Sequence, residues 1–359
     1  MNITYLFEDA NSNMSNWQKI NFIDELSQSG YSFNLINMFD FESPNSINLK
    51  LKSVIEKNKI DYFITSISKV IIDESIFNLF KIKGIPTILI CFDNLHAPYI
   101  HEKSCKFFDL VWLTSKENED LFRKWGSKKI IFQPYAANPY FYKFSQRKKL
   151  TNRISFVGTP YGSRKNLINK LAENSLPVDL YSNNYSNESN LKTDIKSFNL
   201  HAYNNIKTKI GRKIIWSAFL NKYVMNNKGL HDNVNCKSSL SFKSMTNLYS
   251  TSKVNLNVIE LRNTFVLKNP IYKIHLRTFE IPMSGGIQLV AHTNELSEYF
   301  EEDKEVLFYK SGEELVDKAK FYLTNATDAT IRDIQASARK RAENDHTWVN
   351  RFNKVFEAL

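Results

Sequence analysis

Cysteine is scarce in this sequence. The 359 residues include only Cys91, Cys105 and Cys236. Three widely spaced cysteines do not suit a disulfide framework, and without a C-x-x-C pair they do not suit a structural zinc site. We therefore expect reduced thiols, which favour the cytoplasm over a secreted location.

Long hydrophobic runs are also lacking. The apolar stretches, such as residues 87–92, fall far short of the roughly 20 residues that a membrane-spanning helix needs. The first seven residues lack the basic start and long apolar core of a secretory signal. With 42% hydrophobic and 24% charged residues, the composition predicts a soluble cytoplasmic protein. The length suits two domains of roughly 150–200 residues.

Acidic residues are fewer than basic ones, and the net charge of +11 indicates an anionic partner. Nucleic acid, membrane lipid and a nucleoside diphosphate would all fit. The excess is concentrated in residues 191–245, where ten Lys or Arg face two acidic residues.

Residues 207–223 combine basic and aromatic side chains, and two interpretations stay open. One is a helix at the inner face of the membrane, where lipid-linked glycan acceptors lie. The other, which we favour, is an amphipathic helix packed on its own domain through Ile215, Phe219 and Leu220, with its basic side in solvent. A nucleic-acid partner is not expected, because no known binding module accompanies the patch.

Short apolar runs alternate with helical patterns along residues 1–150. This alternation predicts a parallel, doubly wound α/β sheet. The predicted strands are residues 3–7, 32–37, 61–65, 87–92, 110–114 and 129–132, and the predicted helices are 17–30, 47–59, 71–83 and 116–125.

A second α/β series follows a linker near residue 150. It predicts strands at 153–157, 177–181 and 254–259, a helix at 165–173, a polar loop at 183–190 and a helical region at 191–230. The fold class is therefore α/β with two Rossmann-like domains.

The most informative motif is Arg-Thr-Phe-Glu-Ile-Pro-Met-Ser-Gly-Gly-Ile-Gln-Leu-Val at residues 277–290. It predicts a short helix, a glycine pair that ends it and a buried strand. Arg277 and Glu280 are three residues apart and share one helix face. A guanidinium there suits a phosphate, and a carboxylate suits a ribose diol. A surface ion pair on an ordinary α/β unit is the alternative.

This motif and the segments after it resemble the GT-B glycosyltransferases, in particular the CgeB-like group. The same order of elements continues through 296–300, 305–308, 312–322 and 331–341 to a closing His346-Thr347 with Arg351. The resemblance covers residues 253–359 and, with fewer matches, 153–182. It implies two Rossmann-like domains facing each other across a crevice. Residues 1–150 would bind the acceptor, 151–345 the nucleotide sugar, and 346–359 would form a helix that crosses back to the first domain.

Gly158 ends a predicted strand, and Gly162-Ser-Arg164 enters a helix. Such a turn exposes backbone N–H groups, and Arg164 adds a charged donor. A tight turn with a solvated arginine is the alternative. The resemblance implies that a basic residue here contacts the donor diphosphate, which makes Arg164 and Arg277 the predicted pair.

Glu280 resembles the second glutamate of the Glu–seven residues–Glu pair of retaining transferases, which binds the ribose. The first glutamate would fall at Tyr272, which precedes Lys273. Both residues are predicted to line the donor site. The missing carboxylate leaves the donor sugar and the stereochemical outcome open.

Polar residues follow two strands of the first domain, at the end where parallel strands form a binding crevice. Asp93 and His96 are the predicted catalytic groups, since either could accept a proton from an acceptor hydroxyl. His96 and His101 could equally be ordinary loop histidines. Glu8 and Asp9 follow the first strand and are predicted acceptor contacts.

These features predict a glycosyltransferase that moves a sugar from a nucleoside diphosphate donor to a glycan or lipid-linked acceptor. By resemblance, the pathway is bacterial surface polysaccharide or lipopolysaccharide synthesis. A retaining enzyme is expected. No metal or other cofactor is expected, because no Asp-x-Asp pair is present. The alternatives are a nucleotide-sugar epimerase of the same fold and a non-catalytic nucleotide-sugar-binding protein.

Overall fold

A computed structural model describes residues 1–144, 149–183, 203–223 and 229–359. The chain divides into two compact units. Residues 1–141 with 347–359 form the N-terminal unit, and residues 142–346 form the C-terminal unit. Each unit is built on its own six-stranded parallel sheet, which confirms the predicted α/β fold with two Rossmann-like sheets. The three cysteines are free thiols.

The N-terminal unit alternates strands and helices as predicted. Its strands are β1 (Asn2–Phe7), β2 (Ser32–Asn37), β3 (Tyr62–Thr65), β4 (Thr87–Cys91), β5 (Leu110–Leu113) and β6 (Ile130–Phe132), and its helices are α1 (Asn13–Gln18), α2 (Asp24–Gln28), α3 (Pro44–Lys57), α4 (Glu74–Ile82) and α5 (Glu119–Lys124). The strand order is β2-β1-β3-β4-β5-β6. Each predicted strand is present, with ends shifted by at most one residue.

The central strands of this sheet show why the sequence folds this way. Every residue of β4 and β5 is buried, and both strands read as continuous apolar runs. Such runs are typical of parallel strands with helices on both faces of the sheet. Strand β2 lies at the sheet edge, and Ile36 is its one buried residue.

The last helix of the chain, α13 (Trp348–Glu357), belongs to the N-terminal unit. Trp348 is fully buried, and its ring centroid lies 5.4 Å from that of Trp17. Arg351 is also buried and donates to the carbonyl oxygens of Pro134 and Tyr135, at 3.2 and 3.4 Å from Nε. Burying a guanidinium without such acceptors would be costly, so these bonds fix the helix in register.

The C-terminal unit repeats the pattern. Its strands are β7 (Thr151–Val157), β8 (Val178–Tyr181), β9 (Asn235–Lys237), β10 (Ser252–Asn257), β11 (Gln288–Ala291) and β12 (Leu307–Tyr309), and its described helices are α6 (Ser163–Glu173), α7 (Lys209–Tyr223), α8 (Phe242–Thr251), α9 (Arg277–Met283), α10 (Asn294–Tyr299), α11 (Gly312–Thr324) and α12 (Asp328–Asp345). The strand order is β12-β11-β10-β7-β8-β9.

The glycine pair ends α9 as predicted. The helix stops at Met283, and Gly285 takes a φ of +72°, a conformation that favours glycine. The N–H of Gly286 then donates to the carbonyl of Ile281 at 2.8 Å, which closes the helix end. The chain passes directly into β11, every residue of which is buried.

The prediction for residues 191–230 is tested only in part. The segments 184–202 and 224–228 lie outside the described residues, and so does most of the predicted polar loop at 183–190. Helix α7 is present, but residues 229 and 230 are not helical.

The face of α7 predicted to pack is wrong at two of its three residues. Ile215 and Phe219 were expected on the packed face, yet they are 36% and 51% exposed. The residues of α7 that are buried include the small Gly211 and Ser217. A small-residue face lets a helix approach its neighbours closely, which leaves the larger side chains outside.

Candidate active site

The carboxyl ends of β7, β10 and β12 lie at one edge of the second sheet, because these strands are parallel. This edge is where parallel α/β sheets bind ligands. The turn at Gly158 follows β7, Glu260 lies just beyond β10, and Tyr309 is the last residue of β12. The site is built from these three strand ends and from the start of α9.

The turn after β7 depends on two glycines. Gly158 has a φ of +135°, and a Cβ there would lie 2.7 Å from Nη2 of Arg277. Gly162 has a φ of +57°, and a Cβ there would overlap the carbonyl oxygen of Arg262. Both positions therefore need glycine for conformation and for space. The predicted residues Gly158 and Arg277 are in close contact.

Arg164 lies in the first turn of α6 and is half-buried. Its Nη1 donates to the carbonyl of Thr159 at 3.2 Å, and its guanidinium lies over the Tyr161 ring, 4.2 Å from the centroid. Its Nε is buried and has no hydrogen-bond partner among the residues that the structure describes. Burial lowers the pKa of Arg164, and the positive charge of Arg277 lowers it further.

Arg277 at the start of α9 is half-buried as well, and its Nε also has no partner within the described segments. Two guanidinium groups that act on each other's charge disfavour one another unless an anion lies between them. Nearby His275 is half-buried, and burial lowers its pKa well below the usual value, with Arg277 and Arg164 adding to the effect. The imidazole is therefore neutral, and the two arginines remain the positive groups of this cluster.

Glu280 lies one turn further along α9 and is buried, at 3% exposure. Its Oε1 accepts a hydrogen bond from the Tyr142 hydroxyl at 2.9 Å. The charge of Arg277 lowers the pKa of the buried Tyr249 hydroxyl, and the charge of Glu280 raises it. The three side chains are therefore near one another.

Tyr272 and Lys273 belong to a short antiparallel pairing that follows β10. The N–H of Leu261 donates to Ile271 at 2.7 Å, and the N–H of Lys273 donates to Ile259 at 2.8 Å. Tyr272 therefore lies directly opposite Glu260. The sequence analysis missed Glu260, although a carboxylate just beyond a strand end was a usable signal.

Asp93 and His96 follow β4 in the N-terminal unit. Asp93 is exposed, and its Oδ1 lies 3.9 Å from Nδ1 of His96. The loop is held by buried Asn94, which accepts from the N–H of Thr114 at 3.0 Å and donates to the carbonyl of Ser115 at 2.6 Å. The two predicted catalytic groups are thus adjacent on a fixed loop.

The other candidates of this unit are further apart. Glu8 is exposed, while Asp9 pairs with Lys19 at 2.5 Å, and this hydrogen bond lowers the pKa of Asp9. Both follow β1, which is two strands from β4, or about 10 Å at the usual strand spacing. His101 is buried, and burial lowers its pKa to about 4, so it is a neutral loop histidine.

The described residues show neither a metal-binding cluster nor a membrane-spanning helix. They contain no group of three or more His, Cys, Asp or Glu side chains placed to hold a metal ion. Within the same ranges, no helix is both long enough and apolar enough to cross a membrane.

Comparison with solved structures supports the fold. An Anabaena protein, HepE, solved with UDP-glucose, aligns over 100% of both chains with 11% identity and a TM-score of 0.55. Sucrose-phosphate synthase from Thermosynechococcus elongatus aligns over 100% of both chains with 11% identity and a TM-score of 0.53. An α-glucosyltransferase solved with UDP and DNA covers 100% of this chain and 99% of its own, with 14% identity and a TM-score of 0.57.

Comparison with curated protein sequences finds no significant match. The model of the family described as glycosyl transferase-like matches residues 164–357, which is more than half of the chain. The match includes Arg164, Arg277 and Glu280 and runs to the end of α13. The chain belongs to this glycosyl transferase-like family, the CgeB-like group of GT-B glycosyltransferases that use nucleotide sugars.

Proposed function

We propose that this protein transfers a sugar from a nucleoside diphosphate to a glycan or lipid-linked acceptor of surface polysaccharide or lipopolysaccharide synthesis. The observation that carries the proposal is the pair Arg164 and Arg277. Both are half-buried, both have a buried Nε without a partner in the described ranges, and both lie at the Gly158 turn. A cationic pair that is preformed but unsatisfied suits a diphosphate.

The same pair supplies the chemistry of the leaving group. When the sugar bond breaks, negative charge develops on the departing diphosphate. Fixed positive groups in a partly buried site stabilise that charge without having to reorganise. Arg164 and Arg277 therefore act in the transition state as well as in binding, and we propose that the reaction needs no metal ion. Turnover should persist in excess EDTA.

Glu280 binds the ribose of the donor in this proposal. Its carboxylate is buried beside Arg277, and one oxygen accepts from Tyr142, which fixes its orientation. A carboxylate can accept hydrogen bonds from the two hydroxyls of a ribose. Uridine is the first base to test, because HepE was solved with UDP-glucose. Lys273 and Tyr272 would line the donor site from the pairing after β10.

The N-terminal unit binds the acceptor. Asp93 takes the proton of the acceptor hydroxyl, with the His96 imidazole next to it at 3.9 Å between Nδ1 and Oδ1. Glu8 and Asp9 make further acceptor contacts. In a retaining reaction the acceptor attacks the face of the sugar from which the diphosphate leaves, so the donor phosphate is a second candidate for the proton.

Helix α7 contacts the membrane surface in this proposal. Trp216, Phe219 and Tyr223 recur along one side and are 55%, 51% and 65% exposed, with the first two rings stacked at 5.5 Å. Lys213 and Lys222 are exposed on the same helix. Aromatic and basic groups on an interfacial helix suit anionic lipid headgroups.

Vesicle sedimentation tests the membrane contact. Phosphatidylglycerol vesicles should bind the protein and phosphatidylcholine vesicles should not. Trp216→Ala with Phe219→Ala should abolish binding, whereas Phe321→Ala, at another phenylalanine that is 51% exposed, should not change it. Equal binding by both variants would remove α7 from the proposal.

Two measurements test the transferase itself. Thermal-shift screening with nucleoside diphosphates and their sugars identifies the donor, because a ligand of the folded state raises its stability. Release of nucleoside diphosphate is then followed with and without acceptor extracts. Acceptor-dependent release supports a transferase. Interconversion of the sugar without release would instead identify an epimerase, and binding without either reaction would identify a binding protein.

A further inference from the structure

Glu260 and Tyr309 are two polar residues at the sheet edge that carries the arginine cluster, and the proposed donor contacts do not use them. Glu260 lies just beyond β10, and Tyr309 ends β12, at the same sheet edge as the Gly158 turn. Tyr309 is only 4% exposed, and its buried hydroxyl has no hydrogen-bond partner in the part of the chain that is described. A buried hydroxyl without a partner is costly unless a ligand or water satisfies it.

The Glu260 carboxylate is close to Arg164 and to Tyr309. Its Oε2 accepts a long hydrogen bond of 3.4 Å from Oγ of Ser163, the residue before Arg164. Burial raises the pKa of Glu260, and the charge of Arg164 opposes that rise. Burial also raises the pKa of Tyr309, and the charge of Glu260 adds to the effect. The Glu260 carboxylate is therefore near enough to act on the charge of Arg164 and on the Tyr309 hydroxyl.

The backbone holds Glu260 firmly in this place. It pairs with Tyr272 between the two hydrogen bonds that join residues 259–261 to 271–273. The loop closed by this pairing carries Arg262, whose carbonyl lies where a Cβ of Gly162 would be. The segment around Glu260 is thus braced against the turn that leads into Arg164.

We propose that Glu260 and Tyr309 bind hydroxyl groups of the donor sugar. This inference rests on the proposed function, since it places the sugar next to a diphosphate held by Arg164 and Arg277. A sugar linked to the β-phosphate must lie beside that phosphate. Glu260 is in reach of that position, because it contacts Ser163, the residue before Arg164. A carboxylate accepts from sugar hydroxyls, and a tyrosine hydroxyl can donate as well as accept. Glu260 would then supply, from β10, a carboxylate that residue 272 lacks.

The variants for the test preserve shape. Glu260→Gln keeps the pairing with Tyr272 and removes the charge, and Tyr309→Phe keeps the buried ring. Glu313→Gln is the matched control, because Glu313 belongs to the same unit and its side chain is 77% exposed in an ion pair with Lys170. Thermal midpoints of the unliganded proteins show whether each variant is folded.

Calorimetry compares each nucleoside diphosphate with its sugar conjugates: UDP with UDP-glucose, UDP-galactose and UDP-N-acetylglucosamine, and GDP with GDP-mannose. The readout is the gain in affinity that the sugar gives over the nucleotide alone. In the conjugate with the largest gain, Glu260→Gln and Tyr309→Phe should each reduce the gain about tenfold or more, because a hydrogen bond to the sugar is lost. Affinity for the plain diphosphate should stay within about twofold in both variants and in the control.

The outcomes separate the two proposals. If folded Glu260→Gln keeps the full gain, or if the sugar gives no gain in the wild type while the diphosphate binds, the sugar site is wrong and the donor site stands. If none of the nucleotides or conjugates binds the wild type, the proposed function itself fails. Equal losses for diphosphate and conjugate would make Glu260 a support for Arg164, and that result also overturns the sugar contact.

Discussion

The Arg277 guanidinium packs against the backbone of Gly158, so closely that a Cβ at residue 158 would lie 2.7 Å from Nη2. The two residues are far apart in the sequence and meet because β7 and β10 are neighbours and α9 follows β10. The glycine thus has two tasks. It adopts a φ of +135°, and it leaves room for the guanidinium that we assign to the diphosphate.

Replacing this glycine should weaken nucleotide binding in addition to lowering stability. Gly158→Ala strains the backbone and also pushes on Arg277, so the affinity for nucleoside diphosphate should fall about tenfold or more, as when a charged hydrogen bond is lost. Gly84→Ala is the control. Gly84 also has a positive φ, +66°, but a Cβ there meets nothing within 4 Å. Both variants should lose about 1–3 kcal/mol of stability from strain, and equal nucleotide affinity by calorimetry would contradict the assigned role of Arg277.

Removing one arginine should weaken binding while relieving repulsion in the empty site. Arg277→Ala should reduce affinity for nucleoside diphosphate by about 1.5–3 kcal/mol, the range for a charged hydrogen-bond partner. The thermal midpoint of the unliganded protein should not fall, because Arg164 and Arg277 disfavour each other's charge. Arg123→Ala, in an exposed pair with Glu119, is the control and should change neither measurement. A large loss of stability with unchanged affinity would make Arg277 a structural residue.

Glu280 can be tested with the ligand as well as the protein. If its carboxylate holds the ribose, wild-type protein should bind UDP better than 2′-deoxy-UDP or 3′-deoxy-UDP. Glu280→Gln should reduce that preference. The fold should survive, because the glutamine oxygen can still accept from Tyr142. Calorimetry on both proteins with UDP and with each deoxy analogue gives one thermodynamic cycle per analogue, and an unchanged preference in the variant would exclude the ribose contact.

Local patterns in the sequence predicted the strands and the glycine turns, and they marked Arg164, Arg277 and Glu280. Each of these signals lies within one αβ unit, where spacing alone places side chains on a face or at a helix start. Arg164 and Arg277 are close because each follows one of two neighbouring strands. The family resemblance was therefore enough to predict that they act as a pair.

The sequence did not reveal contacts that depend on the order of strands. Glu260 and Tyr309 lie at the same sheet edge because β10 and β12 flank β11 in one parallel sheet. The hydrogen bond of Tyr142 to Glu280 joins residues 138 positions apart. For α7, the spacing of apolar residues predicted a helix but not which of its faces packs against the domain. In the structure, the packed face includes Gly211 and Ser217.

Glu25 should make the stability of the N-terminal unit depend on pH. The side chain is 1% exposed, and burial raises its pKa from 4.5 to about 7 although the N–H of Val349 donates to it at 2.8 Å. Between these two values the folded protein binds more protons than the unfolded chain. The contribution of this group is therefore full below about pH 4.5 and is lost as the pH rises to about 7, by up to about 3 kcal/mol.

The measurement is urea unfolding at pH 5 and pH 8, followed by tryptophan fluorescence. Wild-type protein should lose stability between the two values relative to Glu25→Gln, which keeps an acceptor for Val349 but does not titrate. Glu56→Gln, at an exposed glutamate of α3, should behave like the wild type. The same pH dependence in Glu25→Gln and wild type would show that this carboxyl does not titrate in that range.

Two variants test the proposal that Asp93 is the general base for the acceptor hydroxyl. Asp93→Asn keeps the shape and removes basicity, and His96→Ala removes the neighbouring imidazole. Losing a general base costs about 100- to 10,000-fold in rate, so Asp93→Asn should lower kcat by that factor while donor affinity stays unchanged. Asp120→Asn, at an exposed aspartate of α5, is the control and should leave kcat unchanged.

Asp9 is the poorer candidate for the base, because its hydrogen bond to Lys19 lowers its pKa and so weakens it as a proton acceptor. If Asp93→Asn and His96→Ala both turn over within a few-fold of the wild type, neither residue is the base. The donor phosphate would then take the proton, as the shared face of attack and departure in a retaining reaction allows. In that case Asp93 only orients the acceptor, and its loss should raise the acceptor KM more than it lowers kcat.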